Sequence, residues 1–588
     1  MVKKRKIRFY IPRIIFFNNA TFLPVSSYIY RMCYDKSGKY PDSLEWMPAY
    51  FAEINTLEML WNSFQEQQPD IVCLSLYLFN RGSLEAFAAK IKEEKPETTI
   101  IIGGPEISHR QAQEFADEWQ NFDFMIYGDG EEAFPLLMDA VLENDANDLR
   151  LSSIPNLIFR ESVDNTRVIK TPHKRYKGQL YTENSPWLYC QDEFVRDCEH
   201  ARNQGLNLYV AWDSDRGCPY DCSFCDWAAG LHHKVTRKVF DPRPELLMIA
   251  EQGCTIMLTN ANFGFYEEDV SVAEYIFKLI GSGNYPNFRL SSIQWAKLNK
   301  DRVMEMYRLQ GKHTGQIKGM LALQSINPDS LDKINRPAVP WPQQKEMIYQ
   351  LRREGFKVTF TTELILCLPS ETVETWDNTM EELMDLYPTG ELRCNIWHVL
   401  PNSPGADPAY LAKHKLKVFN ANMINMTNES VPVSWKREDS KIKFKQDFIT
   451  AEIDADPGFT DSEVLSINEI DRFVKNYSNS GKSMFYNSEI VLSSDTATVE
   501  DALYMMISIG LAKALQHKFN EDPEPAKLMH RKLRPLMRQR AEKDAKRMLE
   551  IYDHTGLLPL WLEHDGNIYM YNLAWESPDF SHKLLYLT

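Results

Sequence analysis

The sequence predicts an α/β protein in three successive parts: a doubly wound parallel sheet, a partial (β/α)6 barrel, and a mostly helical C-terminal domain. Three observations predict it. Continuous apolar runs alternate with amphipathic stretches up to about residue 145, the alternation resumes from 201 to 410, and it stops beyond Pro404. At 588 residues the chain is also too long for one ordinary core.

The elements follow in order. Ile71–Phe79 (IVCLSLYLF) is an unbroken apolar run, the pattern of a parallel strand buried on both faces. Ser83–Glu94 places Leu84, Phe87, Ala88 and Ile91 on one helical face. Thr98–Gly104 and Phe122–Tyr127 are further strands that run into glycines, and Phe134, Leu137, Met138 and Val141 mark another helix. Strands ending in glycine-rich turns ahead of helices describe a doubly wound sheet over 1–145, whose ligands bind at the carboxyl ends of the strands. Residues 146–200 read as a connector with a hairpin in Leu157–Ile169, turning at Asp164-Asn165. Six strand candidates then span 201–410: Leu206–Trp212, Thr255–Thr259, Phe288–Ile293, Ile317–Leu323, Lys357–Leu366 and Leu392–Val399. Six suit a partial barrel better than a closed one of eight. The region 411–588 is expected to be mostly helical, with Trp561, Tyr569, Tyr571 and Trp575 as pocket or, more commonly, core aromatics.

Composition bounds the function. The net charge of −16 argues against nucleic acid as the main partner, because phosphate binding needs surplus Lys and Arg. The basic run Lys527–Arg547 reads first as a solvated helix face and second as a docking site for an acidic partner. The longest apolar stretch, near Ala502–Leu515, is too short for a bilayer, and the basic start leads into no signal-peptide core. No membrane association and a cytoplasmic location are the expectations.

Ten cysteines are present and three cluster. Cys33, Cys73, Cys190, Cys198, Cys254, Cys367 and Cys394 read as buried small hydrophobes. Cys218, Cys222 and Cys225, in Arg216-Gly217-Cys218-Pro219-Tyr220-Asp221-Cys222-Ser223-Phe224-Cys225-Asp226-Trp227, follow the first barrel strand. Three close thiolates suit three irons of a cubane cluster, and with no fourth cysteine nearby one iron stays open. The bland alternatives are a structural zinc, which would conscript Cys254 or His232, and a plain redox dithiol.

The C-x3-C-x2-C triplet is that of the radical S-adenosylmethionine (radical SAM) superfamily, and the resemblance extends through the barrel. Glu363–Thr372 (ELILCLPSET) resembles the superfamily's fifth-strand E-L-I-x-G-L-P-G-E-T, with Cys367 and Ser370 in place of two glycines. Leu323–Asn327 resembles the fourth-strand x-Q-S segment. Thr259–Gly264 (TNANFG) resembles the D-A-N-F-G variant of the cobalamin-linked branch, with Asn260 replacing the acid. The resemblance implies a [4Fe-4S] cluster on Cys218, Cys222 and Cys225. It implies S-adenosylmethionine placed by Phe224, Asn260, Asn262, Gln324, Ser325 and Glu363.

A doubly wound domain ahead of such a barrel resembles the cobalamin-binding branch. Leu74–Tyr77, Ile101–Pro105 (IIGGP) and Tyr127–Glu132 (YGDGEE) carry the likeness. The implied Rossmann-like cobalamin lining is Ser75, Tyr77, Gly103, Gly104, Pro105, Gly128, Gly130 and Glu131. The D-x-H-x-x-G sequence that gives a histidine to cobalt is absent, and His109 reads as a turn cap, so a cobalt without a protein histidine is expected. Cys225-Asp226-Trp227 and Val399–Pro404 resemble segments of peptide- and natural-product-modifying members, though Trp227 reads equally well as packing.

The implied reaction is C-methylation at an unactivated carbon of a peptide or small molecule. Methylcobalamin supplies the methyl, a 5′-deoxyadenosyl radical removes the hydrogen, and a flavodoxin or ferredoxin donates electrons. A ring rearrangement or cyclisation without methyl transfer is the first alternative, and a non-catalytic corrinoid- or metal-binding protein the second.

Overall fold

The computed structural model describes residues 4–11, 20–53, 57–77, 80–108, 120–161, 167–175, 183–227, 234–291, 293–294, 300–386, 392–400, 403–424, 485–519, 522–556, 558–564 and 567–570. The first sheet has seven strands in the spatial order Leu44–Trp46, Arg5–Tyr10, Ile71–Ser75, Thr99–Gly103, Phe124–Ile126, Leu157–Arg160 and Val168–Lys170. The first five run parallel. Ile71–Leu74 is buried throughout because this strand has parallel neighbours on both edges and helices over both faces. The helix Arg81–Glu94 buries Leu84, Phe87, Ala88 and Ile91, and the helix Ala133–Leu142 buries Phe134, Leu137, Met138 and Val141. The hairpin of the connector is not a free-standing link: its two strands extend this sheet, antiparallel. Its turn, with Asp164-Asn165, lies outside the described residues.

Two four-stranded parallel sheets follow. One orders Ala20–Phe22, Asn207–Trp212, Thr255–Leu258 and Arg289–Leu290; the other orders Ile293–Gln294, Ile317–Gln324, Val358–Ile365 and Leu392–Asn395. The third expected strand is therefore found as two pieces, Arg289–Leu290 and Ile293–Gln294, one pairing with each sheet. The short strand Ala20–Phe22 was not expected. It crosses from the first domain to pair with Asn207–Tyr209, a contact between segments nearly two hundred residues apart that no local pattern announces.

The C-terminal region carries, beside its long helices, a sheet that was not expected. A four-stranded sheet forms there from Trp397–His398, Phe485–Val491, Val418–Ile424 and Leu558–Pro559. Beside it pack the helices Val499–Lys518 and Pro523–Thr555. Thr498 opens the first with a reciprocal capping box to Asp501, and Gly556 closes the second at φ 70°. The basic run is largely consumed inside the fold. Lys527 bonds Asp385 at 2.5 Å, Arg534 bonds Glu381 at 2.7 Å, and Arg538 bonds Asp501 at 2.6 Å. Trp561 and Tyr569 fall on a terminal two-stranded hairpin, while Tyr571 and Trp575 are outside the described residues. Among the described residues no helix is long and apolar enough to cross a membrane.

Candidate functional site

The cysteine loop leaves the carboxyl end of the strand Asn207–Trp212 and is clamped on both sides at Ser223. The Ser223 amide donates to Ile334 O at 2.9 Å, and its carbonyl accepts from Gly405 N at 2.7 Å. Gly405 is required there, since a Cβ would meet Trp397 Cζ2 at 2.6 Å. The Val399–Pro404 segment thus delivers the residue that pins the loop, with 401–402 outside the described residues. Gly217 starts the loop at φ 105°. Cys218 and Cys222 are buried and Cys225 is half-buried.

The first thiol meets a donor: Asn262 Nδ2 donates to Cys218 Sγ at 3.3 Å. Phe224 packs on Ile334, Ile365, Leu368 and Trp397, with the Arg336 guanidinium 5.7 Å from its ring centre. No three His, Cys, Asp or Glu side chains among the described residues converge as one metal ion requires. A cubane takes one thiolate per iron, so its three ligands surround it and need not converge. An amide aimed at Cys218 Sγ and a buried guanidinium over Phe224 in the same loop suit thiolates, and hence the cluster, because both favour an anion.

The other candidates for S-adenosylmethionine divide into two kinds. Asn260 is occupied within its own turn: Nδ2 donates to Asp215 Oδ2 at 2.7 Å and to Ser214 Oγ at 3.0 Å. Asp215 is pushed up to about 6, by burial first and then by Asp269. Ser325 Oγ donates to Glu371 Oε2 at 2.5 Å, which stitches the fourth-strand motif to the end of the fifth-strand motif. Burial raises the Glu371 carboxyl above its ordinary range. Gln324 is buried at φ 65°, and Glu363 lies half-buried within electrostatic reach of Arg336.

Most of the cobalamin candidates meet at one cavity of about 500 Å³, in the size range of cofactor pockets. Ser75, Tyr77, Gly103, Gly104, Pro105 and Gly128 line it from the carboxyl ends of the first sheet. Asp213, Arg216, Gly217, Asp226, Trp227 and Thr259 line it from the ends of the next. Ser75 and Gly103 are register partners. A Cβ on Gly103 would meet nothing nearer than Ile126 O at 3.8 Å, so that position opens on the cavity. Gly104, at φ 115°, instead crosses the Leu76 backbone, where a Cβ would stand 2.8 Å from the Leu76 amide nitrogen. A wall of bare backbone and small side chains is what a flat macrocycle needs to approach closely.

Gly130 and Glu131 are not in this lining. Gly130 packs beneath Tyr30, which does line the cavity, and Glu131 is ion-paired with Arg216 across the two domains. Trp227 is 44% exposed at the cavity, which removes the packing reading. His109 lies outside the described residues. Arg336 was not singled out from sequence; it lies twelve residues beyond the end of the fourth strand at Gln324.

No family model matches the chain. Among curated proteins it is similar to the cobalamin-dependent radical SAM methyltransferase TokK of Streptomyces tokunonensis, 27% identical over 360 residues, covering 60% of this chain and 51% of that protein. It is similar to the 2-(S-pantetheinyl)-carbapenam-3-carboxylate methyltransferase of Streptantibioticus cattleyicolor, 27% identical over 353 residues, covering 59% and 50%. The chain thus spans about half the length of the curated relatives it matches. Its fold resembles the apo cobalamin-dependent S-adenosylmethionine radical enzyme OxsB, at TM-score 0.53 and 13% identity over 99% of this chain and 82% of that one. It also resembles the radical S-adenosylmethionine methyltransferase TsrM of Kitasatospora setae with tryptophan and a SAM analog bound, at TM-score 0.51 and 15% identity over 72% and 79%. The chain is therefore similar to cobalamin-dependent radical SAM methyltransferases in sequence and shares the fold of cobalamin-dependent radical SAM enzymes.

Proposed function

We propose that this protein is a cobalamin-dependent radical SAM enzyme that methylates an unactivated carbon of a peptide or natural-product small molecule. The observation that carries the reading is the placement of the cysteine loop. Gly217, just before the first cysteine, and Asp226 and Trp227, just after the last, line the same cavity as the glycine turns. A single small molecule entering there touches both sets of residues.

Cys218, Cys222 and Cys225 would hold the cluster in this reading, and the glycine-lined cavity, whose described lining includes no histidine, would hold cobalamin. When bound, these groups and S-adenosylmethionine supply one electron, a hydrogen-abstracting radical and a transferable methyl. The chain's own residues bind, orient and exclude water. Gln324 and Glu363 take the direct polar contacts to S-adenosylmethionine, and Phe224 offers its adenine a flat wall. Asn260 and Ser325 act by shaping the turns on which those contacts stand, since their polar groups are bonded to Asp215 and Glu371. The thiols need a reducing compartment and a low-potential donor such as a flavodoxin or ferredoxin.

The test is mass spectrometry of S-adenosylmethionine products from anaerobically reconstituted protein, with cobalamin and a strong reductant but no substrate. S-adenosylhomocysteine together with methylcobalamin is the expected result, and Cys222→Ala should make no 5′-deoxyadenosine. Appearance of 5′-deoxyadenosine alone would move the assignment to a rearrangement or cyclisation. Consumption of no S-adenosylmethionine would leave only a corrinoid-binding protein.

A further inference from the structure

The cysteine loop has two sides. Its ends, Gly217 and Asp226-Trp227, line the cavity, whereas its middle, Ser223-Phe224, lies outside that lining. The middle faces a wall instead. Phe224, Tyr410 and Leu411 pack on one small apolar cluster that includes Ile334, Trp397 and Leu416. The wall is thin. The Ser223 amide, next to Cys222, donates to Ile334 O at 2.9 Å, and the residue before Ile334 is the exposed Lys333. Tyr410 Oη donates to Lys333 O at 2.9 Å, which fixes the start of the next segment against the same helix end. Along that segment burial alternates. His414 and Leu416 are buried, while Lys413, Lys415 and Lys417 are exposed.

This row of lysines stands out in a chain of net charge −16, and residues 408–419 hold no acid. Among the described residues none of the three forms an ion pair. Lys417 rests over the Phe419 ring at 4.8 Å, which leaves its charge in place. The acids flanking the row are turned to backbone amides: Asp407 accepts from Ala409 N at 2.7 Å, and Asp495 from Ser370 N at 3.3 Å. Lys333 has Asp329 and Asp332 on its own short helix, so the uncompensated charge belongs to the row. The basic run Lys527–Arg547 differs, since its Lys527, Arg534 and Arg538 are bonded to carboxylates within the fold.

We propose that Lys413, Lys415 and Lys417 form the docking face for an acidic, low-potential electron-carrier protein, which passes its electron to the cluster through this wall. The inference rests on the cluster reading above and adds the partner's place of contact. Electron transfer weakens steeply with distance, and in that reading small molecules fill the cavity side of the loop. The wall side is one apolar layer deep. Weak electron-transfer pairs meet on small faces, and a few complementary charges raise their encounter rate about tenfold or more at low salt. The carrier loses one electron and the cluster gains it, with no bond made or broken.

The experiment is anaerobic stopped-flow reduction of the reconstituted chain, with iron and sulfide counted, by the hydroquinone of a bacterial flavodoxin. Wild type is compared with Lys413→Gln/Lys415→Gln/Lys417→Gln. The variant should react about tenfold more slowly at low salt and lose most of the wild type's salt dependence. Photoreduced deazariboflavin, small and uncharged, should reduce both proteins equally. A variant that flavodoxin reduces at the wild-type rate overturns the proposal, and so does an equal slowing with both reductants. Carbodiimide cross-linking of unreconstituted wild type to flavodoxin supplies a readout that needs no cluster. Links at Lys413, Lys415 or Lys417 are expected, and links at other lysines alone overturn the proposal. Wild-type protein that takes up no iron and sulfide defeats the cluster reading itself, a distinct failure that takes this inference with it.

Discussion

Three non-glycine residues near the ends of the fourth and fifth barrel strands sit in the left-handed region: Gln324 at φ 65°, Cys367 at 56° and Ser370 at 65°. The superfamily pattern has glycine at the last two. The backbone has kept a glycine conformation while the side chains changed, at about 1–2 kcal/mol each. Cys367 is wholly buried, so removing its side chain would also cost packing. Ser370 is half-buried, and its backbone bonds, to Asp495 and from Asn327, do not involve its hydroxyl. Ser370→Gly should therefore raise stability by up to about 1 kcal/mol, the relief being partly offset by glycine's freer unfolded chain. Thermal unfolding of wild type and variant checks it, and a lowered midpoint would show that Ser370 is not strained. Residues with a motif around them, the three cysteines and Ser325 among them, were singled out in the sequence, whereas the bond from Ser325 to Glu371 was not. Arg336 was not, because its contact with Phe224 comes only from the approach of segments 112 residues apart.

At the scale of elements, what was legible depended on how local the signal is. Ile71–Ser75, Arg81–Glu94 and Ala133–Leu142 announce themselves by apolar period alone. The C-terminal sheet does not. Val418–Ile424 (VFNANMI) is interrupted by Asn420 and Asn422, and its partner Phe485–Val491 lies more than sixty residues on. The two long helices meet at a buried histidine. His530 Nε2 stands 3.0 Å from Ser508 Oγ, and burial pushes its pKa down to about 4. In the unfolded chain the same group titrates near 6.5. Between those values the unfolded state takes a proton that the folded state refuses. Stability should then fall as pH drops from about 6.5 to 4, by roughly 3 kcal/mol across the window. His398, also pushed down to about 4 by burial, adds in the same sense. His530→Gln cannot titrate, so its loss of thermal stability between pH 7 and pH 5 should be smaller than wild type's. Equal losses would remove His530 from the acid response.

At the scale of the whole molecule, two parallel sheets point their carboxyl ends at one cavity, with the cysteine loop on one rim and glycine turns on the other. The Glu131–Arg216 pair joins the rims, although sequence reasoning had placed Glu131 in the cofactor lining. Because each rim is built by its own segment, each cofactor should be separately removable. At Gly103 a Cβ meets nothing nearer than Ile126 O at 3.8 Å, so Gly103→Val projects into the cavity, whereas Gly104→Ala would strain the turn over Leu76. The most direct test is metal analysis of reconstituted protein, iron and cobalt per chain, in wild type, Gly103→Val and Cys218→Ala/Cys222→Ala/Cys225→Ala. Wild type should carry about four irons and one cobalt, as one cubane and one corrinoid require. Gly103→Val should keep the iron and lose most cobalt, and the cysteine variant should keep the cobalt and lose the iron. Folded variants that lose both metals together, or a Gly103→Val that keeps its full cobalt, would contradict two separate rims around this cavity.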